Sequence, residues 1–222
     1  MAKYERNIGA ITHDEQMLLG QKSACVVGCG GLGCYVIEML ARIGIGSMTV
    51  IDGDTYGESN MNRQLFARFD NLGASKVIEA AKRCKLIAPS MQINPVKAFL
   101  NPSNATALLD GHDIIFDALD NPSTRITLQN ACEQLGIVLI HAAVCEWQAQ
   151  ISVVFPGDRS LTKLYGDDRS YPTPSVPAFS PCFAASLEVN EGIKVLLDRG
   201  EHLRGKLLVV DLLNNSFETL SN

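Results

Sequence analysis

The stretch GCGGLG places glycines at 28, 30, 31 and 33, and Gly28, Gly30 and Gly33 satisfy the pattern G-x-G-x-x-G. Glycines so spaced permit a tight turn and let backbone approach phosphate. The helix that follows offers unpaired N–H groups and a positive dipole end. Asp52, in VIDGD, lies 24 positions beyond Gly28, where an acid can bind ribose hydroxyls. The polar run SNMNRQ comes next and carries Arg63, a planar donor suited to phosphate oxygens. Lys76 follows in GASK. Hydride transfer has no use for cations reaching further along the phosphate chain. Reaction at a triphosphate does, because charge builds on the transferred and leaving phosphates. Asp120, in DALDN, offers a hard carboxylate for Mg²⁺ or a cap for the next helix, a job Ser123 could also do.

These residues need a scaffold, and the chain alternates strand and helix in the way that builds one. SACVVGCG (23–30) is a β-branched run stopped by glycine, GLGCYVIEMLARIG (31–44) has apolar residues at helical spacing, and SMTVIDGD (47–54) is a second strand, which makes a βαβ unit. Helices are expected over 75–88, 103–111 (with Ser103 as N-cap) and 123–136, and strands over 91–100, 113–119 and 137–144. The fold class is therefore α/β: a Rossmann-like, mostly parallel sheet with helices on both faces. C-terminal antiparallel strands extend it. Residues 147–158 read as a strand at a sheet edge, 158–181 as a long proline-rich crossover loop, 183–200 as an amphipathic helix, and 206–220 as a hairpin turning at Asn214-Asn215. Residues 1–222 are expected to form one domain.

Composition narrows the classes further. The net charge is -5 and no basic face stands out, against nucleic acid as the main partner. No signal peptide is evident at the start, and no apolar run approaches the roughly 20 residues a membrane span needs, so a cytoplasmic protein is expected. The seven cysteines include no CxxC pair, so a paired-knuckle zinc site is not expected, and most read as reduced, buried thiols. Cys182, at a helix start, is the one position kept for thiol chemistry. His141 reads as a core histidine.

VVGCGGLG, IDGDTYGESNMNRQ, GASKVIEAA, DALDN and SLEVNEGIKVLL occur in the order and spacing of the HesA/MoeB/ThiF family, bacterial relatives of ubiquitin-activating enzymes. The chain resembles that family from YERN (4–7) to the final hairpin. The resemblance implies an enzyme that uses ATP and Mg²⁺ to adenylate the C-terminal carboxylate of a ubiquitin-like sulfur carrier ending in Gly-Gly. Thiamine, molybdopterin or a related sulfur pathway would be served, and a sulfur donor such as a cysteine desulfurase would be a further partner. It implies that Gly31 touches the phosphates and Asp52, with Asp54 beside it, the ribose side. Ser59, Asn60, Asn62, Arg63 and Lys76 would line the ATP site, and Asp120 would hold the metal with Asn121 next to it. Arg6 would reach into a neighbouring subunit's site, making a homodimer and completing the candidate catalytic set of Arg6, Arg63, Lys76 and Asp120. The carrier carboxylate is itself the nucleophile, so no triad is needed. This chain departs from the family pattern in lacking the two CxxC pairs that hold zinc in many members. Two alternatives stand beside this reading: a nicotinamide- or flavin-dependent oxidoreductase, and a non-catalytic nucleotide-binding partner.

Overall fold

The structure, a computed structural model, describes residues 2–166 and 175–221. One eight-stranded sheet organises it. Five strands run parallel: β1 (Ser23–Val27), β2 (Ser47–Ile51), β3 (Gln92–Val96), β4 (Ile114–Asp117) and β5 (Val138–Cys145). Then β6 (Gln148–Val154), β7 (Lys206–Asp211) and β8 (Ser216–Ser221) add antiparallel strands. The order is β3-β2-β1-β4-β5-β6-β7-β8. The chain leaves β1 toward one side to reach β2 and later returns on the other to lay down β4. The carboxyl ends of β1 and β4 therefore flank the crevice where open α/β sheets bind ligands.

The helices are α1 (His13–Leu19), α2 (Gly31–Ile43), α3 (Lys76–Ile87), α4 (Ala105–Leu109), α5 (Pro122–Leu135), α6 (Ser160–Tyr165) and α7 (Phe179–Leu197). Strand alternation divides the core between the two faces of the sheet. Ala24 and Val26 of β1 pack with Leu32 and Ile37 of α2, Val77 of α3 and Ala185 of α7. Cys25 and Val27 pack on the other face with Leu109 of α4, Leu128 of α5 and Leu161 of α6. β1 is buried on both faces, as a central parallel strand must be, and its sequence is a continuous apolar run.

Three expectations from the sequence are corrected, and one helix is added. Residues 147–158 are not an edge strand: β6 lies between β5 and β7, and the edges are β3 and β8. The expected loop 158–181 contains α6, which packs Leu161 and Tyr165 into the core, and α7 already begins at Phe179. Part of that loop, 167–174, lies outside the described residues. Ser103 does not cap α4; Asn104 holds that position, and the Ser103 hydroxyl donates to Asn101 Oδ1 at 2.6 Å. α1 was not expected, although THDE carries its signal: Glu15 N donates to Thr12 Oγ1 at 3.1 Å and Thr12 N to Glu15 Oε2 at 2.6 Å, a capping box.

Candidate functional site

The glycine loop joins β1 to α2 at the switch point. Gly28 sits at φ 102°, and a Cβ there would collide with the Ala118 carbonyl. A Cβ on Gly33 would strike the Gly28 carbonyl, so both positions admit only glycine without movement of backbone. Gly28 N donates to Ile51 O at 2.8 Å and Ala118 N to Val27 O at 2.9 Å, which ties the ends of β1, β2 and β4 together around the loop. Gly30 occupies the N-cap of α2 with no side chain over the helix end, leaving its first N–H groups open to an anion.

The acids and cations gather on this frame. Asp52, directly after β2, accepts Cys29 N on one carboxylate oxygen at 2.7 Å and Asp54 N on the other at 2.8 Å. Each oxygen keeps a second lone pair, so the carboxylate can brace the glycine loop and still accept hydroxyls. Arg63 lays its stem across the glycine turn: a Cβ on Gly31 would lie 3.4 Å from Arg63 Cγ and 3.5 Å from Cδ. Arg63 Nη1 donates to Ser59 O at 2.9 Å and Asn62 Oδ1 at 2.8 Å, while Nε and Nη2 have no partner among the described residues. Lys76, at the start of α3, is buried and reaches Asp54 Oδ2 at 3.0 Å. Asn60 accepts Gly57 N at 3.0 Å, closing the turn that carries the polar run, and Asn62 Nδ2 donates to Val176 O at 3.0 Å. The glycine loop, Asp52, Asp54, Arg63 and Lys76 thus lie together beyond the carboxyl ends of β1 and β2.

Asp120 sits in the turn from β4 to α5, exposed and with no hydrogen bond or ion pair among the described residues. The same turn packs on Gly28 through Ala118. Neither Asp120 nor Ser123 caps α5. Asn121 does, accepting Thr124 N at 3.1 Å and the Ser123 hydroxyl at 2.7 Å. Behind the turn lies a buried polar cluster that the sequence did not reveal: Asp117, Arg125, His141, Tyr165 and Glu188. His141 is a core residue with Nδ1 2.7 Å from Asp117 Oδ2 and Nε2 3.0 Å from Tyr165 Oη. Burial lowers the imidazolium's pKa from its ordinary value, against the pull of Asp117. Burial, and then the charge of Asp117, push the Glu188 carboxyl well above the carboxylate range. Phe99 was also missed. Its ring lies against Gly53, where a Cβ would meet ring carbons at 2.5–2.7 Å, and it forms a wall beside Asp52.

Other expected residues stand apart from this group or are inert. Arg6 is exposed, following the first turn of the chain. Cys25, Cys29, Cys34, Cys84 and Cys132 are buried free thiols. Burial pushes Cys34, Cys84 and Cys132 up to about 12, which keeps them protonated. Cys182 is half-buried in the first turn of α7. Trp147 is part-exposed and packs on Phe179 with ring centroids 4.6 Å apart.

An open α/β sheet with a glycine loop at its switch point, an acid at the end of β2 and two cations beside them has the form of a nucleotide-binding protein. Residues 4–222 match the ThiF family, and the chain belongs to it. It is 32% identical to the SAMP-activating enzyme E1 of Haloferax volcanii over 226 residues, covering 98% of this chain and 84% of that protein. It is 30% identical to the molybdopterin-synthase adenylyltransferase of Escherichia coli over 229 residues, covering 99% of this chain and 92% of the relative. The crystal structure of E. coli MccB with AMPCPP and MccA superposes with a TM-score of 0.85 at 20% identity, over 99% of this chain and 71% of that one, a likeness of fold. Family and relatives alike make this a nucleotidyltransferase.

Proposed function

We propose that the protein is an ATP-dependent adenylyltransferase acting on the C-terminal carboxylate of a ubiquitin-like sulfur carrier ending in Gly-Gly. The observation that carries this reading is the stem of Arg63 crossing Gly31 at the open end of α2, with two guanidinium nitrogens unengaged among the described residues. A cation there meets phosphates that already lie on the helix N-terminus. The carboxylate oxygen attacks the α-phosphorus, the bond from that phosphorus to the bridging oxygen breaks, and pyrophosphate leaves with the charge. Arg63 and Lys76 neutralise phosphate charge as it redistributes, and the frame holds nucleophile and phosphorus in line.

The residues present fit Mg²⁺. Asp120 is a hard oxygen donor without a partner among the described residues, in a turn pressed on the glycine loop. Among those residues no three His, Cys, Asp or Glu side chains form a closed metal cage, which suits an ion held by one carboxylate and phosphate oxygens. When bound, the ion supplies charge neutralisation along the phosphate chain. Arg6 serves the site of a second copy in a homodimer. The adenylated carrier then goes to a sulfur donor such as a cysteine desulfurase, in thiamine, molybdopterin or a related biosynthesis, in the cytoplasm. No helix among the described residues is long and apolar enough to cross a membrane.

ATP–pyrophosphate exchange with purified carriers tests the reading. Exchange that depends on one carrier with its terminal Gly-Gly intact supports it. Tight NAD binding with no exchange for any carrier favours the oxidoreductase, and ATP binding without exchange favours a non-catalytic partner.

A further inference from the structure

Arg125 is the buried cation closest in the chain to the Asp120 turn, and the nucleotide chemistry makes no use of it. It lies in α5, 7% exposed, behind the sheet end. Its Nη2 donates to the carbonyl of Leu119, the residue before Asp120. Its Nη1 donates to Tyr165 Oη at 2.7 Å, and its Nε lies 3.5 Å from Asp117 Oδ2. One planar guanidinium thus bridges the turn, the end of β4 and the last residue of α6.

The polar contacts run on from Arg125 through the cluster and return to the same turn. Tyr165 Oη accepts from Arg125 Nη1 at 2.7 Å and from Gln150 Nε2 at 3.0 Å. Tyr165 Oη also lies 3.0 Å from His141 Nε2, and the other ring nitrogen of His141, Nδ1, lies 2.7 Å from Asp117 Oδ2. Asp117 Oδ1 in turn accepts Leu119 N at 3.1 Å. The chain of bonds closes on itself: Leu119 is gripped at its carbonyl by Arg125 and at its amide by Asp117. Both peptide groups leading into Asp120 are fixed by buried, charged partners.

A buried guanidinium is costly to desolvate, and apolar replacements often serve a core as well. A grip on both sides of a turn residue is a task that apolar packing does not perform. We propose that Arg125, acting through Leu119 and supported by Tyr165, is a positioning residue that fixes the Asp120 carboxylate for Mg²⁺·ATP. This role rests on the adenylation reading above.

The test is calorimetry of ATP binding to the full chain with and without Mg²⁺, with melting temperature measured alongside. The variants are Arg125→Lys, Tyr165→Phe and, as reference, Asp120→Asn. The wild type should bind ATP more tightly with Mg²⁺, and Asp120→Asn should lose that gain. A misplacement near 1 Å can cost about 100-fold at a reacting centre, so Arg125→Lys should shrink the Mg²⁺ gain by about 10-fold or more. Affinity for metal-free ATP should stay within about twofold, since the glycine loop is also held from β2, through Gly28 N to Ile51 O and Cys29 N to Asp52. Tyr165→Phe should shrink the gain in the same direction, and it decides alone if Arg125→Lys does not fold. Variants with lowered melting temperature but an undiminished Mg²⁺ gain would make Arg125 a purely structural residue and overturn the role. A wild type with no Mg²⁺ gain would overturn the adenylation reading and this role with it.

Discussion

A Cβ added at Gly31 would lie 3.4 Å from Arg63 Cγ, at ordinary van der Waals distance, and this separates two kinds of glycine in one loop. A Cβ at Gly33 runs into backbone, whereas one at Gly31 meets only the stem of a flexible side chain. Gly33→Ala should therefore unfold the turn, at about 1–3 kcal/mol or more, visible as a lowered melting temperature. Gly31→Ala should leave the melting temperature within about 0.5 kcal/mol of wild type and weaken ATP binding. Equal melting curves for the two variants would refute the distinction. Arg63→Ala should lower the turnover of pyrophosphate exchange by roughly 100- to 1,000-fold, and ATP affinity by far less, because a preorganised donor matters most where charge develops. The buried His141 and Glu188 add a pH dependence with opposite signs. His141 has a folded pKa below its ordinary 6.5, so its contribution is present above that value and lost as pH falls toward the folded pKa. Glu188 has a folded pKa above its ordinary 4.5, so its contribution is present below that value and lost as pH rises through the folded pKa. Glu188→Gln should raise the melting temperature on the alkaline side and leave the acid limb in place, while His141→Gln should flatten the acid limb. The glycines, Asp52 and Arg63 were legible because their chemistry is local in the chain. The His141 and Glu188 environments were not, since Asp117, Tyr165 and Arg125 reach them from three other elements.

At the scale of elements, the β1–α2–β2 unit was legible because β-branched runs, helical periodicity and glycine stops agree within about thirty residues. α6 was not legible. It has six residues, fewer than two turns, which is too short for any apolar period to register. The place of β6 inside the sheet was equally hidden, because it depends on β7 arriving some fifty residues later to cover it. α1 shows the reverse case, a capping box written in four residues and overlooked beside the louder glycine signal. The start of α5 is where element and site meet, and there the cap can be separated from the metal ligand. Asn121→Ala should remove the N-cap and cost about 1 kcal/mol of stability. Its effect on the Mg²⁺ dependence of exchange should be small, because the grip on Leu119 comes from Arg125 and Asp117. Asp120→Ala should do the opposite, leaving stability near wild type and removing the Mg²⁺ dependence with the activity. If Asn121→Ala abolished the metal dependence too, the cap itself would be setting the carboxylate's position.

At the scale of the whole molecule, Arg6 raises a question that one copy of the chain leaves open. It is an exposed cation without a partner among the described residues, while the glycine loop is enclosed by the ends of β1, β2 and β4 and the polar run after β2. If Arg6 completes the site of a second copy, each active site combines Arg6 from one chain with Asp120 from the other. Arg6→Ala and Asp120→Ala homodimers should then both be inactive in exchange. After mixing and exchange of subunits, a mixed dimer holds one site with both residues intact and one with neither. Random pairing of equal amounts makes half the dimers mixed, so activity should return to about a quarter of wild type, as isologous two-fold assembly requires. Light scattering should show a dimer throughout. Were Arg6 to act within its own chain, the mixture would stay as inactive as its components. A monomer with full activity would remove the shared site altogether.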